Sequence, residues 1–143
     1  MTKYQPLIIE QELNASIKEV WRIITDLYEM RNWYFYLDEF KPDIGYSFHF
    51  LGGDKENQYV HLCIVTKIVD EKILSHTWRY KDYDGDSQVQ FELSRRNNKT
   101  LMTLTHTGIE HFAKYGENFS RTSFKKMWQH IITVSLKGYI GNR

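Results

Sequence analysis

The sequence has 143 residues, with 19 basic and 18 acidic side chains and a formal net charge of +1 at pH 7. Hydrophobic residues make up 41% and charged residues 26%, a balance that excludes an intrinsically disordered chain. Its longest apolar runs are much shorter than the ~20 residues that cross a bilayer, so we expect no membrane span.

The first part of the chain predicts one strand and two short helices. Residues 7–13 are expected to form the strand. Ser16 and Glu19 then have the capping-box pattern, in which both side chains satisfy free backbone N–H groups at a helix start. Apolar residues follow at helical spacing, which predicts an amphipathic helix over 16–26 and a second helical turn or two over 27–33.

From Gly45 the hydrophobic period changes to two, which is typical of strands. The predicted strands cover residues 46–51, 58–69, 74–80, 88–94 and 100–107. The predicted turns between them are Gly52-Gly53-Asp54, Asp70-Glu71-Lys72, Asp84-Gly85 and Asn97-Asn98.

The C-terminal segment has the clearest pattern. Apolar residues from Phe124 to Tyr139 recur at intervals of three and four, which predicts an amphipathic helix of roughly 20 residues. Such a helix must bury a wide apolar stripe, and the strand meander offers an apolar face for it. We therefore predict a single α+β domain over residues 1–143, in which a curved antiparallel sheet of about six strands wraps around this helix.

Five segments stand out by their order and spacing along the chain, and they are 15–21 with Trp33, 45–48, 65–78, 104–109, and Trp128 with 135–140. These segments resemble the SRPBCC (START-like) superfamily. Their order and spacing are similar to the subgroup named for homologues of the activator of the heat-shock protein 90 ATPase. The resemblance implies a helix-grip fold with an apolar cavity between the sheet and the C-terminal helix. It leaves the ligand open, because superfamily members bind lipids, hormones or polyketides and some are enzymes.

Aromatic residues make up 15% of the chain. On the predicted fold many of them project toward the space between sheet and helix, where they either pack solidly or line a ligand cavity. A separate aromatic run, 33–36 with Phe40, is expected to gate the cavity mouth or to cap the core. The candidate ligand-binding residues are Trp33, Phe48, Phe50, Tyr59, His76, Trp78, Tyr80, Phe91, Leu104, His106, Phe124, Trp128 and Ile131.

His76 and His106 fall on strand faces that are otherwise apolar. One interpretation makes them core histidines that are hydrogen-bonded to a tyrosine or a carbonyl group, because buried polar groups need partners. The other makes them polar anchors that orient a ligand. Both interpretations stay open at the level of sequence.

No sequence pattern indicates a metal or a cofactor. The histidines lack zinc-ligand spacing, and no nucleophile-elbow, phosphate-loop or dinucleotide motif is present. The only cysteine, Cys63, lies in mid-strand and is expected to be buried and inert. After Glu117 every charged residue is basic, but nucleic-acid binding is not expected because the other face of that helix packs on the core.

Three functions follow as hypotheses. The first is a cytoplasmic protein that binds an apolar or aromatic small molecule, lipid-like or polyketide-like, between the sheet and the C-terminal helix. The second is a co-chaperone that stimulates the heat-shock protein 90 ATPase, and the third is a cyclase or hydrolase that uses His76 or His106. The cytoplasmic location is expected because the chain has a single cysteine and no evident signal peptide.

Overall fold

Six strands form one antiparallel sheet within the part of the chain that the computed structural model describes, residues 5–53 and 55–141. They are β1 (Leu7–Leu13), β2 (Ser47–Gly53), β3 (Gln58–Val69), β4 (Ile73–Tyr80), β5 (Tyr83–Arg96) and β6 (Lys99–Thr107). Their order across the sheet is β1-β6-β5-β4-β3-β2, so β1 and β2 are the edges. Buried residues alternate with more exposed ones along β2 and β6, since successive side chains point to opposite faces.

Two short helices follow β1, as the sequence predicts. The Ser16 hydroxyl accepts a hydrogen bond from the Glu19 backbone N–H at 3.2 Å, which confirms the serine half of the capping box. The Asp26 carboxylate caps the second helix in the same way, by accepting from the Glu29 backbone N–H at 3.1 Å. The helices are α1 (Ile17–Thr25) and α2 (Leu27–Met30).

The C-terminal helix runs without interruption over residues 121–140, which confirms its predicted length. Its middle, His130–Leu136, has π-helical geometry, between α3 (Arg121–Gln129) and α4 (Lys137–Ile140). Buried residues recur every four positions from Phe124 to Ile140. A straight α-helix has about 3.6 residues per turn, so a four-residue repeat would drift around its surface. The wider turns of the π-helical segment offset this drift and keep the buried stripe facing the sheet.

The packing of Trp128 shows how this helix lies on the sheet. Its ring centroid is 5.5 Å from that of Trp78 in β4, 6.2 Å from Phe91 in β5 and 5.9 Å from His106 in β6. One helical residue thus contacts three neighbouring strands, and the predicted α+β helix-grip arrangement is confirmed. No helix among the described residues is long and apolar enough to cross a bilayer.

The hairpin between β4 and β5 turns at Lys81 and Asp82, so the turn predicted at Asp84-Gly85 is wrong. Asp84 and Gly85 lie inside β5, where the pairing register with β4 shifts. Gly85 has a φ of +139°, and a Cβ atom there would lie 2.6 Å from Cε1 of Phe112. This position needs glycine because of its backbone conformation and the close approach of Phe112.

Gly52 and Gly53 end β2 and do not form the predicted turn, whose third residue, Asp54, lies outside the described residues. The turns predicted at 70–72 and 97–98 are confirmed. Two short 3₁₀-helices, which the sequence pattern does not predict, connect β6 to the C-terminal helix. They span Ile109–Tyr115 and Glu117–Phe119.

Candidate functional site

A cavity of about 310 Å³ lies at one end of the interface between the sheet and the C-terminal helix. The sheet contributes the end of β2, the beginning of β3 and the end of β4. The opposite wall comes from the second 3₁₀-helix and the first turns of α3. The described lining residues are Phe35, Gly52, Gly53, Asn57, Tyr59, His61, Tyr80, Asn118, Phe119, Ser123, Phe124 and Met127.

The cavity has aromatic walls with a few hydrogen-bonding groups. Among the described lining residues none is acidic or basic apart from His61. Near the mouth the Asn118 side-chain amide donates a hydrogen bond to the Tyr59 hydroxyl at 3.2 Å, which joins the 3₁₀-helix to β3. The Phe119 ring packs 4.9 Å from Tyr59 and 5.1 Å from Tyr80. This arrangement suits an uncharged ligand with an apolar body.

His61 is a buried polar group in the cavity wall, with 4% of its surface exposed. Its ring stacks on Phe50 at a centroid distance of 4.5 Å and an angle of 9°. Burial lowers the pKa of His61 to about 4, although the nearby backbone carbonyl groups of Tyr59 and Phe50 act in the opposite direction. The imidazole is therefore neutral at pH 7.

Tyr80 lies beside His61 in the same wall. Its hydroxyl oxygen accepts a hydrogen bond from Nε1 of Trp78 at 3.0 Å. Burial raises the pKa of the Tyr80 hydroxyl, so this group also stays neutral. The ring centroids of His61 and Tyr80 are 4.8 Å apart, which brings two uncharged hydrogen-bonding groups together at the cavity.

Of the thirteen candidate residues, Tyr59, Tyr80 and Phe124 line this cavity. The other ten are each at most 8% exposed and lie in the packed interior next to it. The rings therefore fill the centre of the sheet–helix interface and leave space at one end. A ligand contact by any of these residues stays a prediction. The ten are Trp33, Phe48, Phe50, His76, Trp78, Phe91, Leu104, His106, Trp128 and Ile131.

Protein groups occupy both ring nitrogens of His76. Nδ1 donates to the Thr77 carbonyl oxygen at 2.7 Å, so Nε2 accepts from the Tyr34 hydroxyl at 3.2 Å. Burial lowers the pKa of His76 to about 4. These partners, a tyrosine and a carbonyl group, are those expected of a core histidine.

His106 is the centre of a buried hydrogen-bonded chain. Nε1 of Trp128 donates to Nδ1 of His106 at 3.0 Å, and Nε2 donates to the Ser87 hydroxyl at 2.9 Å. Ser87 in turn donates to the Trp78 carbonyl oxygen at 2.7 Å. Burial, with a smaller contribution from His76, lowers the pKa of His106 to about 3. In this geometry neither His76 nor His106 offers a nitrogen to a substrate.

Some residues that line the cavity are not among the thirteen candidates, although the sequence pattern points to part of them. His61 is two residues from Tyr59 on a predicted strand, so the two side chains share a face. Phe35, which lines the cavity, belongs to the aromatic run that the sequence predicts to gate the mouth or cap the core. Asn118 and Phe119 lie on a 3₁₀-helix without apolar periodicity, so their position depends on tertiary packing.

A curved sheet wrapped around one long helix defines a helix-grip domain of the START-like class. The family described as Activator of Hsp90 ATPase homolog 1-like protein matches residues 14–141, and the chain belongs to this family. The resemblance drawn from the sequence is thereby confirmed. No curated protein matches the chain.

Solved structures share this fold along nearly the whole chain. Protein CV1439 from Chromobacterium violaceum has a TM-score of 0.78 and 15% identity, with 98% of each chain covered. MLL2253 from Mesorhizobium loti has a TM-score of 0.75 and 20% identity, covering 94% of this chain and 96% of its own. DynU16, a putative protein in the dynemicin biosynthetic locus, has a TM-score of 0.71 and 16% identity, covering 96% of this chain and 50% of its own. At these identities the similarity shows the fold.

Proposed function

We propose that this protein is a cytoplasmic binding protein for an apolar or aromatic small molecule, lipid-like or polyketide-like. The observation that supports this proposal is the aromatic cavity of about 310 Å³ at the end of the sheet–helix interface. The family fold and a structural neighbour in a biosynthetic locus agree with it. The cytoplasmic location is inferred from Cys63, which is buried and has no second cysteine to pair with.

A cavity-filling variant tests this proposal. Met127 lines the cavity, whereas Val134 is 57% exposed elsewhere on the same helix. We expect at least one compound from a library of lipids and polyphenols to raise the melting temperature of the wild type. Met127→Trp should abolish that increase because the larger side chain occupies the cavity, and Val134→Trp should retain it. If no compound shifts the wild type, or if the shift persists in Met127→Trp, the proposal fails.

A second candidate function is stimulation of the heat-shock protein 90 ATPase. The family description is the observation that favours it. An ATPase assay with the purified chaperone tests this activity directly, and we expect a saturable increase in turnover as the protein is added. Unchanged turnover at saturation would remove the co-chaperone function and leave the ligand-binding proposal standing.

A further inference from the structure

The polar groups in the inner wall of the cavity indicate the ligand that it accepts. We propose, building on the proposed small-molecule function, that the ligand is a neutral two-ring aromatic molecule with a hydroxyl or ring N–H group, and that this group donates a hydrogen bond to Nε2 of His61.

The protein partners of His61 set its tautomer. Nδ1 lies 2.9 Å from the carbonyl oxygen of Tyr59, and a carbonyl oxygen only accepts hydrogen bonds. Nδ1 therefore carries the proton. Because the ring is neutral at pH 7, Nε2 has a free lone pair and accepts a hydrogen bond.

The surroundings of the ring indicate where this lone pair points. The backbone groups that interact with the ring, those of Tyr59 and Phe50, are carbonyl groups and cannot donate to it. Every buried side-chain nitrogen or oxygen in residues 5–53 and 55–141 has a hydrogen-bond partner. Since no donor among these residues reaches Nε2, we infer that Nε2 is not enclosed. The space open to this 96%-buried side chain is the cavity that it lines.

Tyr80 supplies the complementary group. Its hydroxyl oxygen accepts from the Trp78 indole N–H, which can only donate, so the hydroxyl hydrogen of Tyr80 remains to be donated. A ligand hydroxyl can then donate to His61 and accept from Tyr80. A carboxylate lacks the proton that Nε2 requires, and no lysine or arginine stands among the described lining residues to neutralise it.

The cavity volume sets the size of the ligand. An apolar cavity of roughly 150 Å³ holds one benzene molecule. The present cavity of about 310 Å³ is twice as large and suits two fused rings. The rings of Phe35, Phe119 and Phe124 provide apolar faces against which a flat molecule packs.

Matched probes test the hydrogen bond. We would titrate the wild type with 2-naphthol and with 2-methoxynaphthalene, which lacks the donor, by isothermal titration calorimetry at pH 7. A single net hydrogen bond predicts about fivefold tighter binding of 2-naphthol. His61→Phe should bind both compounds equally. His49→Phe, which alters an exposed histidine on the outer face of β2, should retain the fivefold preference.

Nuclear magnetic resonance of the wild type gives a second readout that does not depend on the folding of a variant. The ¹⁵N resonance of Nε2 in His61 should move when 2-naphthol binds and stay in place with the methyl ether. Equal affinities in the wild type, a preference that persists in His61→Phe, or an unmoved Nε2 resonance at saturation would overturn the assignment and leave the cavity proposal intact. If neither compound binds, the cavity proposal itself fails for ligands of this size.

Discussion

The interior of this protein contains three buried histidines, at positions 61, 76 and 106, and all three are uncharged at pH 7. Each is at most 4% exposed, and burial lowers the pKa of all three far below 6.5. His76 and His106 have protein partners on both ring nitrogens, whereas His61 has an acceptor nitrogen at the cavity. Chemically similar residues therefore have different roles, which depend on the groups that surround them.

These histidines predict acid-sensitive stability. In the unfolded chain a histidine takes up a proton near pH 6.5, while in the folded protein these three stay neutral down to about pH 4 or below. Between those values the unfolded state binds more protons, so stability falls as the pH falls. We expect the free energy of unfolding to decrease by about 2 kcal/mol for each histidine between pH 7 and pH 5.

Urea unfolding at the two pH values measures this loss. The His61→Phe variant should lose about one third less, because it retains two of the three groups. An unfolding free energy that is the same at pH 7 and pH 5 would contradict the neutral, buried state of these side chains.

At the scale of secondary-structure elements, the alternation of apolar and polar residues predicts the strands. The local sequence predicts only some of the turns between them. Periodicity in the sequence places β3, β4 and β6 correctly, because one face of each strand is buried. The Asp84-Gly85 dipeptide resembles a hairpin turn, yet the chain turns at Lys81 and Asp82. Glycine is required at position 85 because the ring of Phe112, from a distant part of the chain, lies where a Cβ atom would be. A local sequence pattern contains no information about such a contact.

Substitution of two glycines tests this explanation. Gly85 and Gly116 both have a positive φ, of +139° and +115°, so alanine strains the backbone at either site by about 1–3 kcal/mol. Only at Gly85 does the new Cβ also meet Phe112, whereas nothing lies within 4 Å at Gly116. Gly85→Ala should therefore lower the free energy of unfolding more than Gly116→Ala does. Equal losses in urea unfolding would show that the contact with Phe112 is unimportant.

At the scale of the whole molecule, the cavity lies at one end of the interface between the sheet and the C-terminal helix. The sequence predicted the helix-grip architecture and which rings would face inward, because both depend on hydrophobic period. Hydrophobic period does not determine how side chains fit together in three dimensions. It therefore cannot predict whether the interface is filled by rings such as Trp78, Phe91 and Trp128. The structure packs these three rings together and places the cavity beside them, where Tyr59, Tyr80 and Phe124 meet residues from the 3₁₀-helix.

Methionine methyl resonances test the central claim most directly, because Met127 lines the cavity and Met102 is fully buried in the sheet. In a titration of the ¹³C-methyl-labelled protein with 2-naphthol, we expect a saturable shift of the Met127 methyl signal from the ring current of the bound ligand. The Met102 signal should not move. A saturable shift at Met102 without one at Met127, or no shift at either methyl group, would contradict binding at this end of the sheet–helix interface.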